Sequence, residues 1–293
     1  MNKNFKGVNM NREAEVNIYN KEGALGRLVA INSVRAGVGK TFITTFLATS
    51  LSSKNLKSNE VTLSSERLNS FNVCIVEADF WKDTSSIFKN DSLKEPKFRF
   101  EENYNSFIRD NLFYNEVLDL HILKNFKTSK SIDRTSKDFM SIYTEVIKEL
   151  REIFDLVIFD TDINYVSEIN SHLILHESDA ILLVIDKTPI NEIQSLYRWI
   201  TYLSKEVKEK EYLLDLNKVH VVLNKEKENE DYGKALASAL NLKFIGSIPE
   251  QLSAFKNVKN SRGFVEALKS EPEFSIVYEN ISKKLLEFLK TSM

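Results

Sequence analysis

The sequence predicts an α/β fold, a mostly parallel twisted sheet with helices on both faces. Three observations point there. Short, uninterrupted apolar runs alternate with segments whose apolar residues recur every three or four positions, the pattern of strands connected by crossover helices. Polar residues with useful chemistry stand at the carboxyl ends of those runs, where open parallel sheets bind ligands. The first run and the first helical segment are joined by Ser33-Val34-Arg35-Ala36-Gly37-Val38-Gly39-Lys40-Thr41, a small-residue loop with lysine and threonine at its exit.

The elements follow in chain order. Residues 1–26 are polar and aperiodic and read as an N-terminal extension. A first strand spans about 27–33. After the loop, Phe42, Ile43, Phe46, Leu47 and Leu51 give a helix reaching about Ser52. Residues 53–70 are rich in Ser, Asn, Lys and Glu and read as a long loop. Asn72 to Ala78 form a second strand. Residues 81–135 are less regular, with a short strand suggested by Leu118, Leu120, Ile122 and Leu123. Phe139, Tyr143, Val146 and Leu150 mark a helix, and Leu156 to Phe159 a buried strand ending at Asp160. Ala180 to Ile185 is another strand. Ile193, Leu196, Ile200, Leu203 and Val207 step by three and four as one amphipathic helix. Strand Val219 to Leu223, a helix near 233–240, a short strand at Phe244–Ile245 and a final helix from about Phe274 to Leu289 complete the chain. The expected organisation is one domain over 27–290 with loop insertions near 53–70 and 81–135.

Composition narrows the class. At 293 residues, 42% hydrophobic and 28% charged, the chain has enough apolar material for a large core and an ordinary water-facing surface. A net charge of −2 gives no global sign of nucleic-acid binding. With a single cysteine, Cys74, no disulfide can form within the chain. No apolar run approaches the roughly 18 residues of a membrane span, and the first twenty residues lack the apolar centre of a signal peptide. A cytoplasmic location is expected, with association with the nucleoid or a membrane surface as the alternative.

The loop carries the chemistry. Gly37 and Gly39 suit a tight bend that brings backbone N–H groups against phosphate oxygens. The Lys40 ammonium can neutralise charge at the β- and γ-phosphates of a nucleotide. The Thr41 hydroxyl can ligate Mg²⁺, and the helix N-terminus adds positive potential. Asp160, ending an apolar run, is a strand-end acid of the kind needed near a metal or an attacking water. Asp79 follows the second strand in Glu77-Ala78-Asp79.

The loop resembles the deviant P-loop of the MinD/ParA ATPases, Lys-Gly-Gly-x-Gly-Lys-[Thr/Ser]. Val34 stands where the ordinary loop has its first glycine, Arg35 at the family's signature lysine, and Ala36 at its next glycine. The run ending at Asp160 is similar to a Walker B motif, and Glu77-Ala78-Asp79 to the family's Asp-x-Asp. The resemblance implies a P-loop NTPase that binds ATP with Mg²⁺. Ala36, Gly37, Val38, Gly39, Lys40, Thr41 and Phe42 would hold the nucleotide, and Thr41 and Asp160 the metal. Asp79 would position the attacking water. Asn224 after its strand and Pro249 in Gly246-Ser247-Ile248-Pro249 would face the base. Lys227, where related GTPases carry a guanine-reading aspartate, favours adenine.

By the same resemblance, Arg35 would reach the nucleotide of a second subunit in an ATP-dependent homodimer, or else is a surface charge with dimerisation weakened. The implied protein is a slowly hydrolysing switch that positions DNA, division machinery or a surface appendage, stimulated by an activating partner. The alternative is a non-hydrolysing nucleotide-binding scaffold of a pilus or flagellar system. A bacterial tyrosine kinase would need a C-terminal tyrosine cluster, and only Tyr278 stands there. A ligase or reductase would need a second-substrate motif, and none is found. The last helix, with Lys283, Lys284 and Lys290, is read as packing on the sheet, with a peripheral membrane contact as the alternative. Lys205, Lys208, Lys210, Lys256, Lys259 and Arg262 read as a solvated face, with non-specific DNA contact as the alternative. His172 and His176 lack a third ligand, and a metal site there is not expected.

Overall fold

The computed structural model describes residues 25–52, 71–78, 104–123, 137–161, 169–186, 190–206, 212–226, 231–250, 258 and 260–291. Among these residues, eight strands form one sheet: β1 (Arg27–Asn32), β2 (Val73–Ala78), β3 (Leu112–Asn115), β4 (Leu120–Leu123), β5 (Leu156–Thr161), β6 (Ala180–Ile185), β7 (Val219–Glu226) and β8 (Lys243–Pro249). Their order is β3-β4-β2-β5-β1-β6-β7-β8. The β3–β4 pair is antiparallel; the other pairs among the described residues run parallel. The central strands are buried along their length because both faces are covered, which is why they read as continuous apolar runs.

Side-chain alternation divides the core into two layers. Val29, Ile31, Ile75, Ile158, Leu182 and Val222 face α1 (Lys40–Ser52), α7 (Ser261–Ser270) and α8 (Pro272–Thr291). Leu28, Ala30, Val157, Phe159 and Leu183 face α3 (Lys137–Ile153), α4 (Ile169–Glu177), α5 (Ile190–Thr201) and α6 (Asp231–Ala239). Phe107 and Ile108 of α2 (Tyr104–Asn111) join this second layer. Cys74 is buried in β2, and burial raises its thiol pKa. The stripe of α8 is consumed within the protein: Tyr278 stacks on Phe46 of α1 at 3.7 Å, and Ile281, Leu285 and Leu289 are buried. Among the described residues, no helix is long and apolar enough to cross a membrane.

Several elements depart from the sequence reading. The helix expected to run on to Val207 ends at Thr201 and widens into a π-type turn, Tyr202–Glu206. There Ser204 Oγ donates to Ile200 O at 2.6 Å and Leu214 N to Leu203 O at 2.9 Å, so the carbonyls serve other partners. Val207 itself lies outside the described residues. β8 is seven residues long rather than two. The strand expected at 118–123 begins at Leu120, because Asn115 Oδ1 accepts from Val117 N and Leu118 N and closes a turn first.

The amino-terminal end of the sheet is locked by Arg151. Its Nε donates to Gly26 O at 2.9 Å, Nη1 to Glu177 O at 3.2 Å, and Nη2 to Asp179 Oδ2 at 2.9 Å. Asp179 Oδ2 also accepts from Leu28 N at 2.8 Å. Replacing Arg151 with Ala leaves these acceptors partly desolvated and is expected to cost about 2–3 kcal/mol, read as a lowered urea midpoint.

Two buried histidines contribute to the acid side of the stability profile. Burial lowers the pKa of His121, in β4, from 6.5 to about 4, against a small opposing effect of Asp119. Burial and then the Lys243 charge lower that of His220, in β7, from 6.5 to about 4. Both rings are neutral in the folded chain at neutral pH, so the unfolded chain takes up their protons first. The sign is therefore a stability present above about pH 6.5 that falls as pH drops towards 4. Urea unfolding across that window should show the loss, and His220→Leu should reduce its slope.

Candidate functional site

Alternation explains which strand-end residues meet. Glu77, Asp160, Asp186 and Asn224 each lie two positions past a residue of the α1-side core: Ile75, Ile158, Val184 and Val222. They therefore continue on the α1 face of the sheet, around the loop that leaves β1. Glu77 is buried and lies in register with Asp160 on the neighbouring strand.

The loop adopts a conformation that its glycines permit. Gly37 has φ 76 and Gly39 φ 97, in the region that side chains disfavour. Ala36 is exposed and is not among the positive-φ residues, so its methyl meets no backbone strain. Val34 packs partly buried against the α3–α6 layer, and Val38 is buried in the α1 layer. The two valines anchor the loop on opposite sides of the sheet, which gives position 34 a packing role that glycine could not fill.

Polar contacts hold the loop from three strands. Thr41 Oγ1 donates to Asp160 Oδ2 at 2.6 Å, tying the first turn of α1 to the end of β5. Lys40 Nζ donates to Ser33 Oγ at 3.0 Å, and Ser33 Oγ donates to Arg35 O at 2.7 Å. Asn224 Nδ2 donates to Val38 O at 2.6 Å and Lys225 Nζ to Gly37 O at 2.8 Å. Lys225 has φ 59, a left-handed conformation at the end of β7. Beneath the loop, Asn32 Nδ2 donates to Thr161 Oγ1 at 2.7 Å and Thr161 Oγ1 to Ile31 O at 2.9 Å, fastening β1 to β5.

The structure thus brings together Arg35, Ala36, Gly37, Val38, Gly39, Lys40, Thr41, Asp160 and Asn224 around one loop. Pro249 ends β8, exposed, in register with Glu226 at the end of β7, so it lies on the same side of the sheet. The ring of Phe42 packs 5.1 Å from Phe46 and 5.7 Å from Phe264, so its side chain belongs to the α1-side layer. Asp79 lies outside the described residues, one position beyond β2, as do Asp162 and Lys227. Of the lysine and arginine face, Lys205 and Arg262 are exposed; Lys208, Lys210, Lys256 and Lys259 lie outside the described residues. His172 and His176 pack against the rings of Tyr202 and Tyr212.

Reading motifs alone missed Ser33, Thr161, Asp186 and the Lys225 contact. Asp186 was signalled by alternation, two residues beyond Val184. The contacts of Ser33 and Thr161 had no signal, because hydroxyls at strand ends are common.

The donor set fits a nucleotide phosphate with a divalent cation. A threonine hydroxyl and a carboxylate 2.6 Å apart are hard oxygen ligands of the kind Mg²⁺ takes. The loop beside them carries an ammonium and two glycines at positive φ.

Solved structures share the fold, two of those that follow with an adenine nucleotide bound. The putative plasmid partition protein of Borrelia burgdorferi B31 bound to AMPPNP superposes with a TM-score of 0.61 and 19% identity, covering 89% of this chain and 99% of that one. The MinC:MinD cell division protein complex of Aquifex aeolicus gives 0.62 and 17%, covering 89% and 96%. Cyanothece McdA in complex with ATP gives 0.60 and 15%, covering 90% and 97%. No protein-family model matches the chain. No curated protein sequence matches it either. The chain has the fold of the MinD/ParA-type P-loop ATPases.

Asn224 is the buried tie between β7 and the loop. Asn224→Ala leaves Val38 O without its donor and is expected to cost about 1–3 kcal/mol, measured as a shift of the urea midpoint.

Proposed function

We propose that this chain is an ATP-binding, slowly hydrolysing, dimerising switch that positions or partitions a cellular cargo, with its ATPase domain spanning 27–290. The observation that carries the reading is the Thr41–Asp160 hydrogen bond at the exit of a glycine loop whose lysine lies beside it. The fold shared with a partition protein, MinD and McdA supports it.

In this reading the loop backbone and Lys40 bind the phosphates, and Phe42 contributes its N–H. Thr41 and Asp160 hold Mg²⁺, which supplies charge neutralisation at the phosphates when bound. Asp79 orients the attacking water. Asn224 Oδ1 is buried and accepts no hydrogen bond among the described residues, so it suits the amino group of adenine. Pro249 lies against the base. Arg35 serves the nucleotide of a second copy, and an activating protein raises the turnover. DNA or a membrane surface is a further docking partner of this class of switch.

A second reading, a nucleotide-binding scaffold without turnover, is favoured by one observation. Arg35 pairs with Asp186 of its own chain rather than standing clear for another.

A steady-state phosphate-release assay separates the two. The switch predicts slow turnover in the wild type and none in Lys40→Ala, with lost ATP binding. Asp79→Ala should bind ATP but hydrolyse it about 100-fold or more slowly. Tight binding without phosphate release in the wild type would establish the scaffold.

A further inference from the structure

Asp186 is a buried carboxylate, 6% exposed, immediately after β6 at the edge of the phosphate loop. One guanidinium nitrogen of Arg35 donates to both of its oxygens. Lys225 Nζ lies 3.7 Å from Asp186 Oδ2 and donates to Gly37 O. The Arg35 side chain is 43% exposed and that of Lys225 37%, so both cations remain within reach of the solvent-facing side of the loop.

A negative charge there opposes the chemistry of the site. A loop that gathers N–H groups, a lysine and a helix N-terminus attracts phosphate, and a neighbouring carboxylate repels it. Without nucleotide, the carboxylate is neutralised by Arg35 and Lys225. With nucleotide, the phosphates and Asp186 present rival acceptors to the same guanidinium. The guanidinium nitrogen held by the carboxylate cannot serve a phosphate until that pair opens.

Resting on the nucleotide reading of the loop, we propose that Asp186 is a positioning residue for Arg35. It holds the guanidinium on its own chain in the nucleotide-free protein and gives it up in competition with the nucleotide phosphates. Lys225 stays on the loop carbonyl and steadies Asp186 as Arg35 leaves. The chain therefore couples occupancy of its loop to release of the residue at position 35. Arg35 acts only after nucleotide has bound.

The test follows Arg35 directly. The ¹⁵N resonances of its guanidinium, assigned by their loss in Arg35→Lys, report hindered rotation when the group is held by a carboxylate. Hindered rotation is expected in the free wild type and not in Asp186→Asn. Saturating Mg-AMPPNP should shift the wild-type signals to a second bound form. Binding of a fluorescent AMPPNP should be about three- to tenfold tighter in Asp186→Asn, and close to wild type in Asp186→Glu. A merely structural brace predicts weaker binding in Asp186→Asn. If Asp186→Asn does not fold, Asp186→Ser takes its place.

Signals of Arg35 unchanged at saturation, or binding by Asp186→Asn no tighter than wild type, would overturn the proposal while leaving the nucleotide site intact. Phosphorus spectra of AMPPNP read occupancy independently. If they show no binding to the wild type, the nucleotide reading falls and the competition falls with it.

Discussion

The hydrogen bond from Thr41 to Asp160 is the contact on which the arrangement of the site depends. It spans from the first turn of α1 to the end of β5, and two strands, β1 and β6, lie between β5 and the loop's far supports on β7. Thr41 can reach Asp160 because β5 lies beside β1 in the sheet order, and because alternation turns Asp160 towards α1. With α1 fixed in this way, Lys40 and the two glycines ahead of it must lie over the carboxyl ends of the strands. A parallel sheet concentrates its ligand chemistry at that edge.

The same constraint explains how the loop is supported. Its own backbone makes few internal contacts, so the strands around it supply the donors: Asn224 and Lys225 from β7, and Ser33, just past β1, to Arg35 O. Val34 and Val38 add apolar anchors on the two sides of the sheet. The departures from the usual loop then have separate meanings. Valine at 34 is a packing residue. Alanine at 36 sits in backbone that any residue can adopt. Arginine at 35 is the one that changes chemistry, because it carries a planar fork that a buried carboxylate can hold.

Most of the sheet was legible in the sequence because its strands are buried on both faces. Seven of the eight strands correspond to apolar runs read directly from residues such as Leu28 to Ile31 and Ala180 to Ile185. The exception, β3, is short and half-exposed, and its partner strand is visible only as four apolar positions. α4 escaped notice because His172, Leu173, Ile174 and Leu175 are all buried in succession, which erases the helical period. α7 carried a signal that was overlooked: Asn260 caps it, accepting from Gly263 N at 2.8 Å. At the site, Lys40, Thr41 and Asp160 were legible because each combines a rare residue pattern with a strand or helix boundary. The Arg35–Asp186 pair joins residues 151 positions apart, and only the adjacency of β1 and β6 brings them together.

The central claim is that this loop holds an adenine nucleotide through a metal-assisted phosphate site. Isothermal titration of the full chain with ATP and with GTP, each with and without Mg²⁺, tests it most directly. One ATP should bind per chain, binding should weaken sharply when Mg²⁺ is withdrawn, and GTP should bind far more weakly than ATP. Absence of nucleotide binding, or GTP bound as tightly as ATP, would contradict it.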